Sequence, residues 1–241
     1  MVELTPDFII FGIIAIILVT FGTLIGSAMI YKYFKYKYRP LLLWGLCWVL
    51  LMRYFLPYAI NFILLLIGRE ILSPENFLII AYSSHPLTTI LWVVAWTEIM
   101  YKKKIKLFAS IAIIYGIIFQ IIFWTFFFTD VSLLITRVSP FSYEPEIVLQ
   151  LPFFSETLLF LILAFLLYRV GHKTTDKEIR AKGTFFFVHS ISFFLAIVLY
   201  VIIRGLIGLI LSRIFMMFSA VCLYTYLVWP NWVKKIILRE K

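Results

Sequence analysis

Long apolar stretches recur along the whole chain. Each is about 20 residues or longer, the length that a helix needs to cross about 30 Å of hydrocarbon. The sequence is 63% hydrophobic and only 14% charged, which excludes an ordinary soluble domain. We therefore predict an all-α, polytopic membrane protein whose 241 residues form a single seven-helix transmembrane bundle. The predicted spans are residues 8–30, 40–67, 77–100, 107–128, 147–169, 184–204 and 209–229.

The boundary between the last two spans lies inside one unbroken apolar run, which is too long for a single crossing. We place the boundary in "RGLIGLILSR", because Gly205 and Gly208 permit a turn between Arg204 and Arg213. The sixth span should begin as a helix ahead of the membrane, near residue 176. Thr175 precedes Glu178 there with the spacing of a capping box.

Positive charge is concentrated on one side of the predicted spans. The segments that follow spans 1, 3, 5 and 7 hold 17 of the 22 Lys and Arg residues. By the positive-inside rule these segments are cytoplasmic, so the N-terminus lies outside and the C-terminus inside a plasma membrane. The net charge of +10 therefore indicates contact with anionic lipids at the cytoplasmic face, and we expect no nucleic-acid partner.

Two segments invite structural hypotheses. The outside loop at residues 129–146 contains the alternating "VSLLITRV", which allows a short hairpin or a lid, although an irregular loop is the simpler reading. If the loop is a lid, a Gly/Ser linker in its place should leave the fold intact. Gly22 and Gly26 form a GxxxG motif, which predicts close packing inside the bundle or, as the alternative, a homodimer contact.

Several chemistries are excluded by missing residues. A retinal protein needs a lysine in its last span and carboxylates in its third. Here the last span has no lysine, and the third has no acid before Glu98. We expect Glu98 to pair with Lys102, one helical turn away. The three histidines, His85, His172 and His189, fall in different segments and cannot share a metal ion. The sequence also has no P-loop, nucleophile elbow or CxxC motif. We therefore expect no enzyme activity and no cofactor.

The remaining candidates for function are ionisable side chains inside the spans, where they are costly and so point to function. They are Arg53, His85 and Glu156, together with His189, which we expect to be hydrated near the inner interface. At 1.5 Å per residue, Arg53 and Glu156 fall within about 5 Å of the same depth. We predict that Arg53 binds Glu156 directly or through His85 and water. The alternative is that Arg53 extends along its own helix to the outer headgroups.

Three prolines predict helix bends in the same outer half, namely Pro57, Pro86 and Pro152. Bent helices leave carbonyl groups free around a cavity. The coincidence predicts a ligand-binding pocket, open to the outside and lined by Arg53, His85 and Glu156.

Two short stretches carry a resemblance to a known class of protein. A basic loop leads into an aromatic-rich second span, "YRPLLLWGLCWVLL", and the last span ends in "YLVWPNWVKKII". With its topology, the chain resembles the seven-helix sensory modules at the N-termini of some prokaryotic histidine kinases. The resemblance implies a sensor or receptor that reads an external ligand. Since such modules normally continue into an output domain and this sequence stops at Lys241, the cytoplasmic signalling partner is expected to be separate.

A small-solute transporter is the rival interpretation. Seven spans also fit a three-plus-one-plus-three sugar-transporter plan, and an Arg–Glu pair beside bent helices suits a gated site. Against it, spans 1–3 and 5–7 show no internal similarity, and no Pro-Gln pair occurs. A structural or assembly role is the third possibility.

Overall fold

The described part of the chain folds into helices and one small hairpin. The computed structural model describes residues 6–139, 142–203 and 205–238. Its α-helices are α1 (Pro6–Tyr36), α2 (Arg39–Leu51), α3 (Leu56–Leu66), α4 (Pro74–Tyr82), α5 (His85–Met100), α6 (Ile105–Thr129), α7 (Ile147–His172), α8 (Lys177–Ile202), α9 (Leu206–Val228) and α10 (Asn231–Leu238). Short 3₁₀ helices occupy Met52–Tyr54, Lys102–Lys104 and Val131–Leu133, and the antiparallel strands are β1 (Ile135–Ser139) and β2 (Ser142–Pro145).

Membrane-crossing capacity follows from helix length and composition. Within the described ranges, six helices are long and apolar enough to cross a membrane. A seventh is added if the bent pair Arg39–Tyr54 and Leu56–Leu66 is one span. The structure therefore supports an all-α multi-pass membrane protein, while the span count of seven and the orientation stay predictions.

The chain divides into two compact units. The first takes in the described residues of Met1–Ile30 and Tyr38–Pro152, and the second Tyr31–Lys37 and the described residues of Phe153–Lys241. The first unit therefore holds most of α1, all of α2 to α6, the hairpin and the start of α7. The second holds the rest of α7 and α8 to α10.

The boundary between the last two long helices lies close to its predicted position. α8 ends at Ile202 and α9 begins at Leu206. Gly205 has φ +89°, a left-handed conformation that favours glycine. Arg204 lies outside the described residues. The prediction for Gly208 is wrong, because this residue lies within α9, where an added Cβ would be 1.6 Å from the Ile203 carbonyl oxygen.

The start of α8 also differs slightly from the capping-box prediction. The N-cap residue is Asp176 rather than Thr175, and its Oδ1 accepts hydrogen bonds from the backbone N–H groups of Glu178 and Ile179, at 2.8 and 3.3 Å. The predicted start near residue 176 is confirmed. Aspartate satisfies orphan N–H groups at a helix start as well as threonine does, so sequence alone leaves a one-residue ambiguity.

In the first unit, α1 packs through a stripe of residues spaced three or four apart. The buried members are Phe8, Gly12, Ala15, Leu18, Gly22, Gly26 and Met29. A Cβ added at Gly22 would lie 2.1 Å from Met52 Sδ, and one at Gly26 would lie 2.9 Å from the Gly45 carbonyl oxygen. The two glycines thus allow close packing within the chain. A homodimer contact through them would have to displace Met52 and its neighbours.

The segment between α6 and α7 is an anchored hairpin. Leu134, Ile135 and Tyr143 are buried, and Tyr143 packs its ring 5.2 Å from that of Phe77. The Tyr58 hydroxyl donates to the Tyr143 carbonyl oxygen at 2.8 Å. A hairpin was one of the three predicted forms of this loop, and the irregular loop, the simpler reading, was wrong. Because Leu134, Ile135 and Tyr143 pack in the core of the first unit, we expect replacement of the loop to disturb that core.

Candidate functional site

The first break in a long helix lies between α2 and α3. The 3₁₀ helix Met52–Tyr54 separates them, and the two parts differ in direction by 45°. Pro57 stands at the start of α3 and has no N–H to donate to the carbonyl of residue 53, four positions back. The sequence prediction of a bend near Pro57 agrees with this geometry.

A second break separates α4 from α5. Ser83 and Ser84 form a turn, and α5 then begins at His85 with Pro86 in its first turn. Because the helix is interrupted, carbonyl groups in the last turn of α4 lose their usual N–H donors. Such groups are costly away from water unless side chains bind them.

Arg53 binds the end of α4. Its Nε donates to the Ile80 carbonyl oxygen at 3.1 Å, and its Nη2 donates to the Ile79 carbonyl oxygen at 3.3 Å. Nη2 also lies 3.3 Å from Ser83 Oγ, which in turn donates to the Ile79 carbonyl oxygen at 2.5 Å. A cation at a helix C-terminus is also favoured by the helix dipole. The guanidinium of Arg53 therefore caps a broken helix.

His85 and Tyr54 connect the two breaks. The Tyr54 hydroxyl shares a short hydrogen bond with His85 Nδ1, and both side chains are buried. The His85 ring also lies 4.4 Å, centre to centre, from that of Phe119 in α6. This hydrogen bond joins His85 to the other broken helix, the one that carries Arg53.

Gln120 completes the set from α6. Its Nε2 donates to the Ser83 carbonyl oxygen at 2.8 Å, so a third element binds the α4–α5 break. Its Oε1 is buried and has no hydrogen-bond partner among the described residues. An acceptor of this kind is costly in the interior, which makes it a candidate partner for a ligand donor that reaches it. We call Arg53, Tyr54, Ser83, His85 and Gln120 the helix-break cluster.

An apolar groove of about 680 Å³ runs along α5 and α6 beside the cluster. Gln120 and Pro86 line it. Gly116 also lines it and lets α6 approach α5 closely, since an added Cβ there would lie 2.9 Å from Pro86 Cβ. The other lining residues are Ile90, Ile113, Ile117, Ile121, Trp124, Thr125, Phe128 and Thr129. The lining does not include Arg53, His85 or Glu156, so this groove is not the polar pocket that the sequence predicted.

The predicted partner of Arg53 lies in the other compact unit. Glu156 and its neighbours belong to the second unit, whereas the cluster belongs entirely to the first. Pro152 lies within α7, which is continuous from Ile147 to His172, so no break marks this third predicted bend. The Arg53–Glu156 pair stays a prediction.

Glu98 has a different partner from the one predicted. Its carboxylate lies 3.6 Å from the guanidinium of Arg39, where we had expected Lys102. The side chain of Glu98 is buried, and its Oε2 has no hydrogen-bond partner among the described residues. Burial raises the pKa of Tyr38, just before α2, and the negative charge of Glu98 raises it further.

The second unit has buried polar groups of its own. His189, expected to be hydrated, is only 2% exposed, and its Nδ1 lies 2.7 Å from Ser219 Oγ between α8 and α9. Arg213, which marked the far limit of the predicted turn before the last span, is buried in α9 with its guanidinium 5.3 Å from the centre of the Tyr200 ring. Sequence reasoning did not include this arginine among the candidate residues, because it served there only to delimit the turn.

Neither grouped metal ligands nor similarity to known proteins identifies a further site or a family. Within residues 6–139, 142–203 and 205–238, no three His, Cys, Asp or Glu side chains are grouped to hold a metal ion. Compared with known proteins, the chain matches no family model, and no curated protein or solved structure is significantly similar to it.

Proposed function

We propose that the chain is a multi-pass membrane sensor or receptor-like module, in which a ligand acts on the helix-break cluster. One observation carries this proposal: the carbonyl groups of the α4–α5 break are held by side chains of two other elements, Arg53 and Gln120. A ligand that competes for these hydrogen bonds would change the stability of the broken α4–α5 helix relative to an arrangement in which this helix is continuous. Differential stabilisation of two arrangements is what a signalling switch requires.

The proposed binding mode combines the cluster with the groove. Gln120 takes part in both, and its Oε1 is an acceptor without a partner among the described residues. A ligand with an apolar body and an O–H or N–H donor would fit, because the groove is apolar apart from Gln120 and two threonines. The predicted orientation puts this site in the outer half of a plasma membrane and the basic ends of the helices inside. A separate cytoplasmic partner would receive the signal there.

A small-solute transporter is the second candidate, and the paired breaks favour it. Transporters bind substrates between discontinuous helices whose freed backbone groups line the site. Here the 3₁₀ break of α2–α3 contributes Arg53 and Tyr54 to the break of α4–α5. The same geometry therefore serves either a gated path or a switch.

A two-stage experiment tests the proposal. Purified protein is first screened for thermal stabilisation against amino acids, sugars, lipids and ions, since binding to the folded state raises the melting temperature. Compounds that stabilise it are then tested for flux in proteoliposomes. Stabilisation without flux supports the sensor, and flux of the stabilising compound supports the transporter. If no compound in any class shifts the melting temperature, the ligand-binding proposal is contradicted.

A further inference from the structure

The last helix, α10, has an uncovered apolar face. It follows the turn at Trp229 and Pro230 and is eight residues long. Val233 is 2% exposed and packs within the second unit, whereas Trp232 and Ile236 are 61% and 69% exposed. Since Trp232 and Ile236 are four residues apart, they lie one above the other on the same side of the helix.

The charged residues of α10 lie on the other side. At about 100° per residue, Trp232, Ile236, Val233 and Ile237 cover one continuous arc, and Lys234 and Lys235 fall outside it. A helix with one apolar arc and a lysine-bearing face is typical of segments that lie in the membrane interface. Of these four residues only Val233 is buried against the second unit, so the exposed rest of the arc needs an apolar environment.

The position of α10 in the chain supplies that environment. α9, one of the helices long enough to cross a membrane, ends at Val228, only three residues before α10 begins. Trp229 between them is buried, with Lys182 Nζ 5.4 Å from the centre of its ring and Phe185 6.0 Å away. The start of α10 is therefore fixed beside the basic start of α8, at the end of a predicted span.

Charge at this end of the second unit is predominantly positive. The described basic residues from the end of α7 to the start of α8 and in α10 are Arg169, Lys173, Lys177, Arg180, Lys182, Lys234 and Lys235. The described acids in the same segments are Asp176 and Glu178, and Glu178 is paired with Lys182 at 2.5 Å. Such a surface is complementary to anionic lipid headgroups and attracts them.

We propose that the Trp232–Ile236 face of α10 inserts into the headgroup region of an anionic leaflet while Lys234 and Lys235 bind lipid phosphates. The partner is the surface of the membrane that the protein crosses, recognised by its negative charge. This inference goes beyond the sensor proposal and does not depend on it. Membrane charge would then set the position of the chain's last helix.

The test uses the full chain with a fluorophore on a cysteine introduced by Ile236→Cys. Cys47 and Cys222 are buried, and protein without the new cysteine measures any labelling of them. The labelled protein is placed in vesicles of phosphatidylcholine alone or mixed with phosphatidylglycerol. We expect iodide to quench the label several-fold less in the mixed vesicles. Brominated lipid should quench it more.

Charge variants separate lipid binding from other causes of protection. Lys234→Gln with Lys235→Gln should remove the dependence on phosphatidylglycerol. The matched pair Lys102→Gln with Lys103→Gln, at exposed lysines in the first unit, should keep it. The proposal is overturned if iodide quenching is the same in both vesicle types, or if both lysine pairs behave alike. Protection that rises with protein concentration in vesicles of phosphatidylcholine alone would instead indicate a second copy on this face, and would also overturn the proposal. If the lysine variants do not fold, the comparison of vesicles with the unsubstituted lysines still decides.

Discussion

An arginine inside an apolar helix needs acceptors for its five N–H donors. Arg53 finds them in two successive carbonyl groups of α4 and in Ser83, which suits a planar group with donors in fixed directions. The sequence identified Arg53 as costly and therefore informative. It suggested a charged partner, because acceptors created by a helix break in another segment are not visible in a sequence.

Replacing Arg53 tests the capping role. Arg53→Leu should lower the free energy of unfolding by about 2 kcal/mol, since it removes charge-assisted hydrogen bonds from half-buried carbonyls. Arg53→Lys should recover less than half, because one ammonium group does not match two carbonyls as a guanidinium does. Arg69→Leu, at an exposed arginine after α3, is the matched control and should have little effect. Thermal unfolding in detergent measures all three. Equal losses for Arg53→Leu and Arg69→Leu would contradict the capping role.

The predicted Arg53–Glu156 pair is tested by a double-mutant cycle. If the two side chains interact, Arg53→Leu combined with Glu156→Leu should be more stable than the sum of the single effects predicts, because neither charge is left unpaired. Unfolding midpoints of the four proteins give the coupling energy. Additive effects would disprove the pair and leave the carbonyl groups of α4 as the partners of Arg53.

At the scale of elements, two interrupted helices support each other. The prolines predicted where two of the interruptions fall, since Pro57 and Pro86 each remove a backbone donor. Pro152 had the same signal, yet α7 continues through it. This proline is the sixth residue of the helix and removes one helical hydrogen bond, the one to the carbonyl of residue 148. Whether a proline breaks a helix depends on neighbouring donors for the freed carbonyls, which sequence does not reveal.

The hairpin gives a prediction about stability. Tyr143 is buried against Phe77 and makes hydrogen bonds through both its carbonyl and its hydroxyl. Tyr143→Ala should therefore lower the free energy of unfolding by about 3 kcal/mol, as expected for a large side chain lost from a core. Val138→Ala, at a half-exposed position in β1, is the control and should cost much less. Equal melting temperatures for the two point variants would show that the hairpin is only a connector.

A Gly/Ser linker in place of residues 129–146 should unfold the first unit, contrary to our expectation from sequence.

For the whole molecule, apolar length predicted the helices because crossing a membrane imposes a minimum length on each. The predicted spans agree with the long helices within a few residues at most ends. The division into two compact units was not predicted, since it depends on which helix faces pack together. Small residues on α1 were a partial signal, because they mark where another helix approaches closely without naming it.

Orientation is tested by labelling single cysteines from each side of the membrane. Thr175→Cys should react from the cytoplasm and Val138→Cys from the outside, as the distribution of basic residues predicts. Val138 is preferred to Ile135, which is buried and would react poorly. Reaction of both positions from the same side would disprove the predicted topology.

The claim that the helix-break cluster binds the ligand depends most directly on Gln120. The decisive measurement is the ligand-induced rise in melting temperature, with a compound that stabilises the native protein, for Gln120→Met and Gln150→Met. Methionine keeps the length of the side chain and removes its amide, and Gln150 is an exposed glutamine at the start of α7. We predict that Gln120→Met folds but loses most of the ligand-induced rise, because the free acceptor Oε1 is gone, while Gln150→Met keeps it. An undiminished rise in a folded Gln120→Met protein would contradict the proposed site.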